Sequence, residues 1–302
     1  MAAEKNARTH RPAATAKAAK TAKTAKAVLV ATASAALATA VVGGTASASA
    51  PDSAPAATAV TAGAKPTIVL VHGAFADASS WAGVVKRLQA DGYPVVAPAV
   101  PLRGPASDAA SVRAVIRHIP GPKVLVGHSY GGSVISAAGA GDPEVKALVY
   151  VAAFLPEAGE TALGLSGKFP GSTLGSALDS VTYTLPGGGT TTDLSIRPDA
   201  FHHQFAADVP AGQAALMAAT QRPIAEAALN EAATVAAWKE KPSWDVVTTE
   251  DLNIPRAAQL FMARRAHARV TEVAASHSVA VSHPGTVARV VEEAARTTRS
   301  AN

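Results

Sequence analysis

From residue 66 onward, the chain alternates between two kinds of segment, and this alternation restricts the fold more than any other feature. Short runs of apolar, largely β-branched residues alternate with segments in which apolar residues recur at helical spacing. The first predicted strands lie at 67–71, 93–100, 123–127 and 145–154, and the helices between them at 79–92, 107–119 and 131–140. Near-continuous apolar strands joined by amphipathic helices are typical of a parallel sheet covered on both faces. We therefore predict an α/β fold with a mostly parallel, doubly wound sheet.

The alternation is interrupted between residues 156 and 242. Residues 181–194 alternate around a glycine-rich turn, which is the pattern of a β-hairpin. Ala-rich helices are predicted at 211–220 and 223–240. The alternation then resumes with strands at 244–251 and 269–276 and helices at 255–267 and 285–297. We predict that residues 156–242 form a lid insertion of helices and a hairpin above the sheet.

The segment LVGHSYGG, residues 125–132, places Ser129 between two glycines, directly after a predicted strand and before a predicted helix. The Gly-x-Ser-x-Gly pattern alone is weak in a chain this rich in glycine and serine, but its position is that of a nucleophile elbow. Small neighbours are needed there because the serine occupies a strained turn that other backbone approaches closely. Since parallel strands end at one edge, Ser129 should lie beside His72 and Gly73, which follow the first strand.

A serine hydroxyl is a poor nucleophile without a base, and histidine is the usual one. Eight histidines lie beyond residue 50. His277 directly follows a predicted strand, where a loop at the carboxyl edge of the sheet would begin. His283 stands beside Pro284, where a helix is about to start, and is interpreted as a helix-entry residue. We therefore favour His277 as the base.

The imidazole also needs a carboxylate to orient it and to stabilise its protonated form. Asp251 ends the strand predicted at 244–251, and Glu250 beside it would point to the other side of a regular strand. We favour Asp251 for its position at the strand end. The resulting chain order of serine, aspartate and histidine is the one found with a nucleophile elbow.

With these segments in place, the chain from about residue 66 to 295 resembles the α/β-hydrolases. It is most similar to the small bacterial and plant esterase group that also contains methylesterases and hydroxynitrile lyases. The resemblance is carried by the segments IVLVHGAFADASSW, LVGHSYGG, VVTTEDLNIP and ASHSVAVSHP. It implies Ser129 as nucleophile, Asp251 as acid and His277 as base, with an oxyanion hole formed by the backbone N–H groups of Ala74 and Tyr130.

Two positions distinguish the esterases of this group from the lyases. The lyases carry threonine after the strand-end histidine and lysine after the catalytic histidine, where this chain has Gly73 and Ser278. The resemblance therefore implies a cofactor-free serine esterase that hydrolyses small to medium, mostly apolar carboxylic esters through an acyl-enzyme. Two alternatives stay open: a protein that binds a ligand in the same pocket without turnover, and another reaction on the same residues, such as perhydrolysis or carbon–carbon cleavage.

The insertion contains apolar residues and histidines whose roles the sequence leaves open. Phe201, Phe205, Met217 and Trp238 either pack the lid onto the sheet or line an acyl pocket. His202 and His203 are expected to have a surface or lid role, because no cysteine and no His-Glu-x-x-His motif accompanies them. We expect no metal site.

The first fifty residues have the organisation of a secretory signal peptide. A basic stretch precedes the uncharged segment 27–44, and small residues spaced Ala-x-Ala follow it. We expect cleavage after Ala48 or Ala50, a flexible linker at 51–65 and a hydrolase domain at 66–302, with secretion and no stable membrane insertion. An uncleaved membrane anchor is the less favoured interpretation.

The net charge of +5 does not indicate a nucleic-acid partner, because it is concentrated at the start of the chain. Residues 1–50 contain seven Lys and Arg and one acidic residue, so the remaining chain is slightly negative. A body with no net positive field does not attract phosphate backbones. The expected partner is a small-molecule ester, and the sequence leaves the oligomeric state open.

Expression of the full-length chain in an exporting bacterial host tests the signal peptide. We expect the exported protein to begin at Ser49 or Pro51, as measured by intact-mass spectrometry. Replacing both Val41 and Val42 by arginine interrupts the apolar segment and should keep the protein inside the cells. Exported protein that retains residues 1–48 would contradict the assignment.

Overall fold

The computed structural model describes residues 65–298. The expected signal peptide at 1–50 and all but the last residue of the expected linker lie outside the described residues. The strands are Thr67–Val71 (β1), Val95–Val96 (β2), Lys123–His128 (β3), Val145–Val151 (β4), Leu178–Thr184 (β5), Thr190–Ile196 (β6), Ile224–Ala225 (β7), Ser243–Thr248 (β8) and Arg269–Val273 (β9). Within this range, no helix has the length and apolar character needed to cross a bilayer.

The helices cover the sheet on both faces and build most of the insertion. They are Ala82–Ala90 (α1), Pro105–Arg117 (α2), Tyr130–Ala138 (α3), Ala162–Ser166 (α4), Leu174–Ala177 (α5), Pro198–Phe205 (α6), Ala211–Thr220 (α7), Glu226–Asn230 (α8), Arg256–Arg265 (α9), Val279–Ser282 (α10) and Pro284–Thr297 (α11). Short 3-10 helices lie at Ala78–Trp81 and Ala237–Lys239.

Six strands form one sheet in the order β2-β1-β3-β4-β8-β9, and each neighbouring pair is parallel. Every residue of β1, β3 and β8 is buried. Alternate residues of β1, β3 and β4 belong to two different cores, one on each face of the sheet. In β1, Ile68 and Leu70 pack with α1 and α11, whereas Val69 and Val71 pack with α2, α3 and α9. The two-sided burial explains the near-continuous apolar runs and confirms the predicted fold class.

The predicted insertion, residues 156–242 and called the insert below, carries a second, antiparallel sheet in the order β5-β6-β7. The hairpin predicted at 181–194 is confirmed as β5 and β6, and the helix predicted at 211–220 is confirmed as α7. The helix predicted at 223–240 is confirmed only at Glu226–Asn230, which forms α8, and is wrong over the rest of its length. Ile224 and Ala225 pair with β6 as a short strand, so cross-strand pairing overrides the helix propensity of the alanines there.

Four predicted strands extend beyond the observed ones, since those predicted at 145–154 and 269–276 end at Val151 and Val273. Of the strand predicted at 93–100, only Val95 and Val96 pair with β1. The strand predicted at 244–251 ends at Thr248, so Asp251 lies in the loop after β8 rather than at the end of a strand. The loop leaves the ladder because its backbone N–H groups bind the Asp251 carboxylate, as described below.

One charged residue lies in the middle of the sheet. Asp245 in β8 is fully buried, and neither of its carboxylate oxygens has a hydrogen-bond partner within residues 65–298. It is paired in register with Tyr150 of β4. Burial raises the pKa of Asp245 well above its usual value, because the charged form cannot be solvated there.

The raised pKa of Asp245 predicts a specific dependence of stability on pH. Above the usual carboxyl value of 3.8, the unfolded chain releases this proton while the folded chain retains it, so the free energy of unfolding decreases as pH rises. Asp245→Asn removes this titration. We expect the variant to raise the melting temperature at about pH 8 and to have a smaller effect at about pH 5, measured by calorimetry.

Asp179→Asn is the matched control, since Asp179 is exposed on β5. It should leave the melting temperature nearly unchanged at both pH values. An Asp245→Asn variant whose effect is the same at both pH values would show that the carboxyl does not titrate as described.

Candidate active site

Ser129 occupies the one-residue turn between β3 and α3. Its backbone has φ 53° and ψ −125°, in a region that residues with a side chain rarely adopt. The turn is held by a hydrogen bond from Ser129 N to Val151 O (3.2 Å) and one from Phe154 N to Ser129 O (3.1 Å). Such strain persists only where the surroundings enforce it, and it often marks a functional position.

The glycines around the turn are required by close approach of backbone. A Cβ atom on Gly127 would lie 2.5 Å from the carbonyl oxygen of Gly131, and one on Gly131 would lie 2.5 Å from that of Val71. On Gly73 it would lie 2.7 Å from Ser129 Cβ and 2.8 Å from His128 O. A threonine at position 73, as in the lyases, would therefore not fit this backbone without movement.

Asp251 and His277 form a buried hydrogen-bonded pair, with 2.7 Å between Asp251 Oδ2 and His277 Nδ1. Their side chains are 0% and 1% exposed. Asp251 accepts further hydrogen bonds from Asn253 N (2.7 Å), Ile254 N (2.9 Å), Thr248 Oγ1 (3.0 Å) and Gln259 Nε2 (3.1 Å). Burial by itself would raise the pKa of Asp251, but His277 and these donors hold it below its usual value. The alternative acid, Glu250, is exposed.

The residue before Ser129 joins its turn to the His277 loop. His128 Nε2 lies 2.9 Å from the carbonyl oxygen of His277, so it carries the proton and donates it. The two rings are 4.8 Å apart. Burial, followed by the neighbouring His277, lowers the pKa of His128 to about 3, which keeps it neutral over the working range of most enzymes.

In the described residues, no hydrogen bond joins Ser129 and His277. The structure therefore brings Asp251 and His277 into direct contact and places Ser129 one residue from the His128 contact. Hydrogen bonds of catalytic residues commonly tighten only when substrate is bound. Because Asp251 occupies His277 Nδ1, His277 Nε2 is left for a further partner.

The two residues expected to form the oxyanion hole, Ala74 and Tyr130, border the same cavity as Ser129. Neither backbone N–H donates a hydrogen bond within residues 65–298. The Tyr130 hydroxyl donates to Asp108 Oδ2 (2.8 Å), and this bond fixes the start of α3. The loop before Ala74 is held by His72, whose Nε2 accepts from Val100 N (2.9 Å) and whose Nδ1 lies 2.9 Å from Gly73 O.

The cavity beside Ser129 has a volume of about 210 Å³ and a mostly apolar wall. Its apolar lining residues include Phe154, Leu163, Leu174, Leu178, Leu229 and Ile254. Ser166 and Ser172 also border it, but both hydroxyls donate to Asn253 O, so they are already satisfied. In the described part of the chain, no Asp, Glu, Lys, Arg or His lines this cavity, which suits an uncharged apolar group.

The apolar residues singled out in the insert do not line this cavity. Phe201, Phe205 and Trp238 are buried and pack the insert onto the body. Phe205 contacts His277, with 5.0 Å between ring centroids. Met217 borders a separate groove on the other side of Phe75.

His202 and His283 have structural contacts, and His203 is exposed. His202 lies in α6, and its Nε2 is 2.9 Å from the carbonyl oxygen of Val209 in the loop after that helix. His283 immediately precedes α11, and its Nδ1 lies 2.9 Å from Ser282 Oγ and 3.5 Å from Asp208 Oδ2. No group of three or more acidic, histidine or cysteine side chains suited to a metal ion occurs between residues 65 and 298.

A two-sided parallel sheet with a strained serine at a strand-to-helix turn defines an α/β-hydrolase. The family model described as alpha/beta hydrolase family matches residues 68–290, and the chain belongs to this family. An alpha/beta hydrolase of Aspergillus novofumigatus, nvfD, is 26% identical over 253 residues, which cover 76% of this chain and 97% of that protein.

Solved structures share the fold at low sequence identity. Polyneuridine aldehyde esterase is 19% identical with a TM-score of 0.67, and the match covers 76% of this chain and 99% of that one. Tomato methylketone synthase I in complex with 2-tridecanone is 21% identical with a TM-score of 0.63 over 78% and 99%. A pyrethroid hydrolase from Sphingobium faniae JZ-2 is 23% identical with a TM-score of 0.60 over 76% and 97%. Together with the family, these likenesses support a hydrolase.

The close packing around Gly73 predicts that even one added methyl group is costly. We expect Gly73→Ala to lower the free energy of unfolding by about 1–3 kcal/mol, the usual cost of forcing extra volume into a packed site. Chemical denaturation measures the change. Gly212→Ala is the control, since a Cβ atom there meets nothing within 4 Å, and it should be neutral or slightly stabilising. Equal stabilities of the two variants would contradict the packing argument.

Proposed function

We propose that this protein is a serine esterase that hydrolyses small to medium, mostly apolar carboxylic esters. The observation that carries the proposal is the buried Asp251–His277 hydrogen bond of 2.7 Å, beside the turn that holds Ser129 at an apolar cavity. A buried carboxylate on one nitrogen of an imidazole is what prepares the other nitrogen to act as a base.

In the proposed first step, His277 Nε2 takes the proton from Ser129 Oγ while the oxygen attacks the ester carbonyl carbon. Asp251 keeps the proton on Nδ1 and stabilises the imidazolium that forms. His277, followed by the backbone N–H groups of Ile254 and Asn253, lowers the pKa of Asp251, which favours its ionised carboxylate. The backbone N–H groups of Ala74 and Tyr130 are free to receive the developing oxyanion.

In the proposed second step, the imidazolium of His277 protonates the departing alcohol and leaves an acyl group on Ser129. Water then enters, His277 removes its proton, and the hydroxide attacks the acyl carbon. Collapse of the second tetrahedral intermediate releases the acid and returns the proton to Ser129. Each proton taken up by His277 is thus given back within the same half-reaction.

The lining of the cavity indicates which kind of chemical group it accommodates. Its wall carries no charged side chain, and its serine hydroxyls already donate to Asn253 O. A charged acyl group would lose its hydration there without gaining a partner, which is unfavourable. We therefore assign this cavity to an uncharged, apolar part of the ester, and the proposed reaction requires no cofactor.

We further propose that the enzyme acts outside the cell, because residues 1–50 have the pattern of a signal peptide. The described residues contain no cysteine, so folding of this domain outside the cell does not depend on forming a disulfide bond.

Ser129→Ala tests the proposed nucleophile. We expect it to abolish hydrolysis of p-nitrophenyl butyrate and labelling by a fluorophosphonate probe, because the attacking oxygen is removed. Ser133→Ala is the matched control, since Ser133 lies one turn further along α3 and does not line the cavity. It should retain both activities, with circular dichroism confirming that both variants fold.

The outcomes separate the competing functions. Undiminished turnover by Ser129→Ala would overturn the assignment of the nucleophile. A wild-type protein that binds apolar esters but neither turns over nor becomes labelled would be a binding protein. Labelling without ester hydrolysis would point to a different reaction on the same residues, which product analysis with a panel of acyl donors would identify.

A further inference from the structure

The last turn of α6, in the insert, contacts both loops that carry the proposed acid and base. Two consecutive residues make these contacts. Gln204 reaches the loop that follows β8, and Phe205 reaches the loop that follows β9. The sequence separates these residues from Asp251 and His277 by more than forty positions, and nothing in the mechanism above uses them.

Gln204 is 3% exposed, and its side-chain amide is fully engaged. Its Nε2 donates to Leu252 O (2.9 Å) and to Asn253 Oδ1 (2.7 Å). Its Oε1 accepts from Thr173 Oγ1 (2.8 Å). One amide therefore fastens the two residues that follow Asp251 to the insert.

The fastened loop is the one whose backbone holds the Asp251 carboxylate. Asn253 N and Ile254 N donate to Asp251 Oδ1 (2.7 and 2.9 Å), while Oδ2 binds His277. If the loop shifts, the carboxylate shifts with it. Three hydrogen bonds of 2.7 Å thus connect Gln204 to the imidazole: Gln204 to Asn253, Asn253 N to Asp251, and Asp251 to His277.

Phe205 holds the other loop. Its carbonyl oxygen accepts from Ser278 Oγ (2.8 Å), and its ring meets the His277 ring nearly edge-on, at 5.0 Å and 67°. Ser276, which precedes His277 in the chain, donates its hydroxyl to Asp208 in the segment that follows α6. The base therefore packs directly against the insert.

We propose that Gln204 is a positioning residue for the Asp251–His277 pair, and that the last turn of α6 sets the geometry of acid and base together. The proposal rests on the proposed esterase function. Since neighbouring residues of a single helical turn cannot move independently, the two loops keep one relative placement. The insert then acts in catalysis as well as in covering the cavity.

Gln204→Leu tests the proposal, because leucine fills a similar volume but cannot donate to the loop. We expect kcat for p-nitrophenyl butyrate and the rate of fluorophosphonate labelling to fall about tenfold or more, since small misplacements of catalytic groups are costly. KM should change less than about twofold, because Gln204 does not line the cavity.

Gln221→Leu is the matched control. Gln221 is also a glutamine of the insert with three hydrogen bonds, but all of them go to insert backbone, at Ile196 N, Ile196 O and Ala218 O. It should lower the melting temperature and leave kcat within about twofold of the wild type. A general loss of stability and a loss of positioning are thereby separated.

Ser278→Ala provides a milder arm if Gln204→Leu does not fold. It removes the bond to Phe205 O and should lower kcat with little change in KM. The proposal is overturned if Gln204→Leu, or in its place Ser278→Ala, keeps the wild-type kcat. It is also overturned if Gln221→Leu loses kcat to the same extent. A wild-type protein that neither hydrolyses the ester nor is labelled would instead refute the proposed function, and the inference with it.

Discussion

The organisation of the site depends on keeping one buried carboxylate ionised. Asp251 is 0% exposed at its side chain, and an uncompensated charge in that position would cost several kcal/mol. The loop after β8 leaves the sheet and folds around the carboxylate with two backbone N–H groups, while Thr248 and Gln259 supply side-chain donors from β8 and α9. His277 completes the set. The Asp251 carboxylate therefore contacts three separate parts of the fold: its own loop, α9 and the loop after β9.

Asp245, six positions earlier, shows what the same residue type does without such partners. Both carboxylates are fully buried, yet no donor among residues 65–298 reaches either oxygen of Asp245, and burial is the cause of its raised pKa. At Asp251, the imidazole and the hydrogen bonds outweigh burial and lower the pKa. The difference arises from neighbours rather than depth, so burial alone does not tell whether a carboxyl is charged. Only the partnered one is suited to orient a base.

Local features of the sequence predicted the sheet well, because burial on both faces leaves continuous apolar runs such as Thr67–Val71. They predicted less where tertiary contacts decide. Ile224 and Ala225 read as helix by composition, but pairing with β6 makes them a strand. The sequence predicts Asp251 at the end of a strand, but the strand ends at Thr248 and Asp251 lies in the loop after it. No local sequence pattern predicts that Gln204 and Phe205 support these loops, because the contacts arise when the insert folds against two loops that are distant in the chain.

The insert divides its tasks between different segments. Leu163, Leu174 and Leu229, from α4, α5 and α8, form part of the cavity wall. The end of α6 instead holds the loops that carry the proposed acid and base, without bordering the cavity. Changes in the wall can thus alter the shape offered to a ligand while the acid–base geometry is kept. This separation is possible because α6 is anchored by its own contacts, through Gln204 to the loop after β8 and through Phe205 to the loop after β9. A single insert can then serve recognition at one end and support at the other.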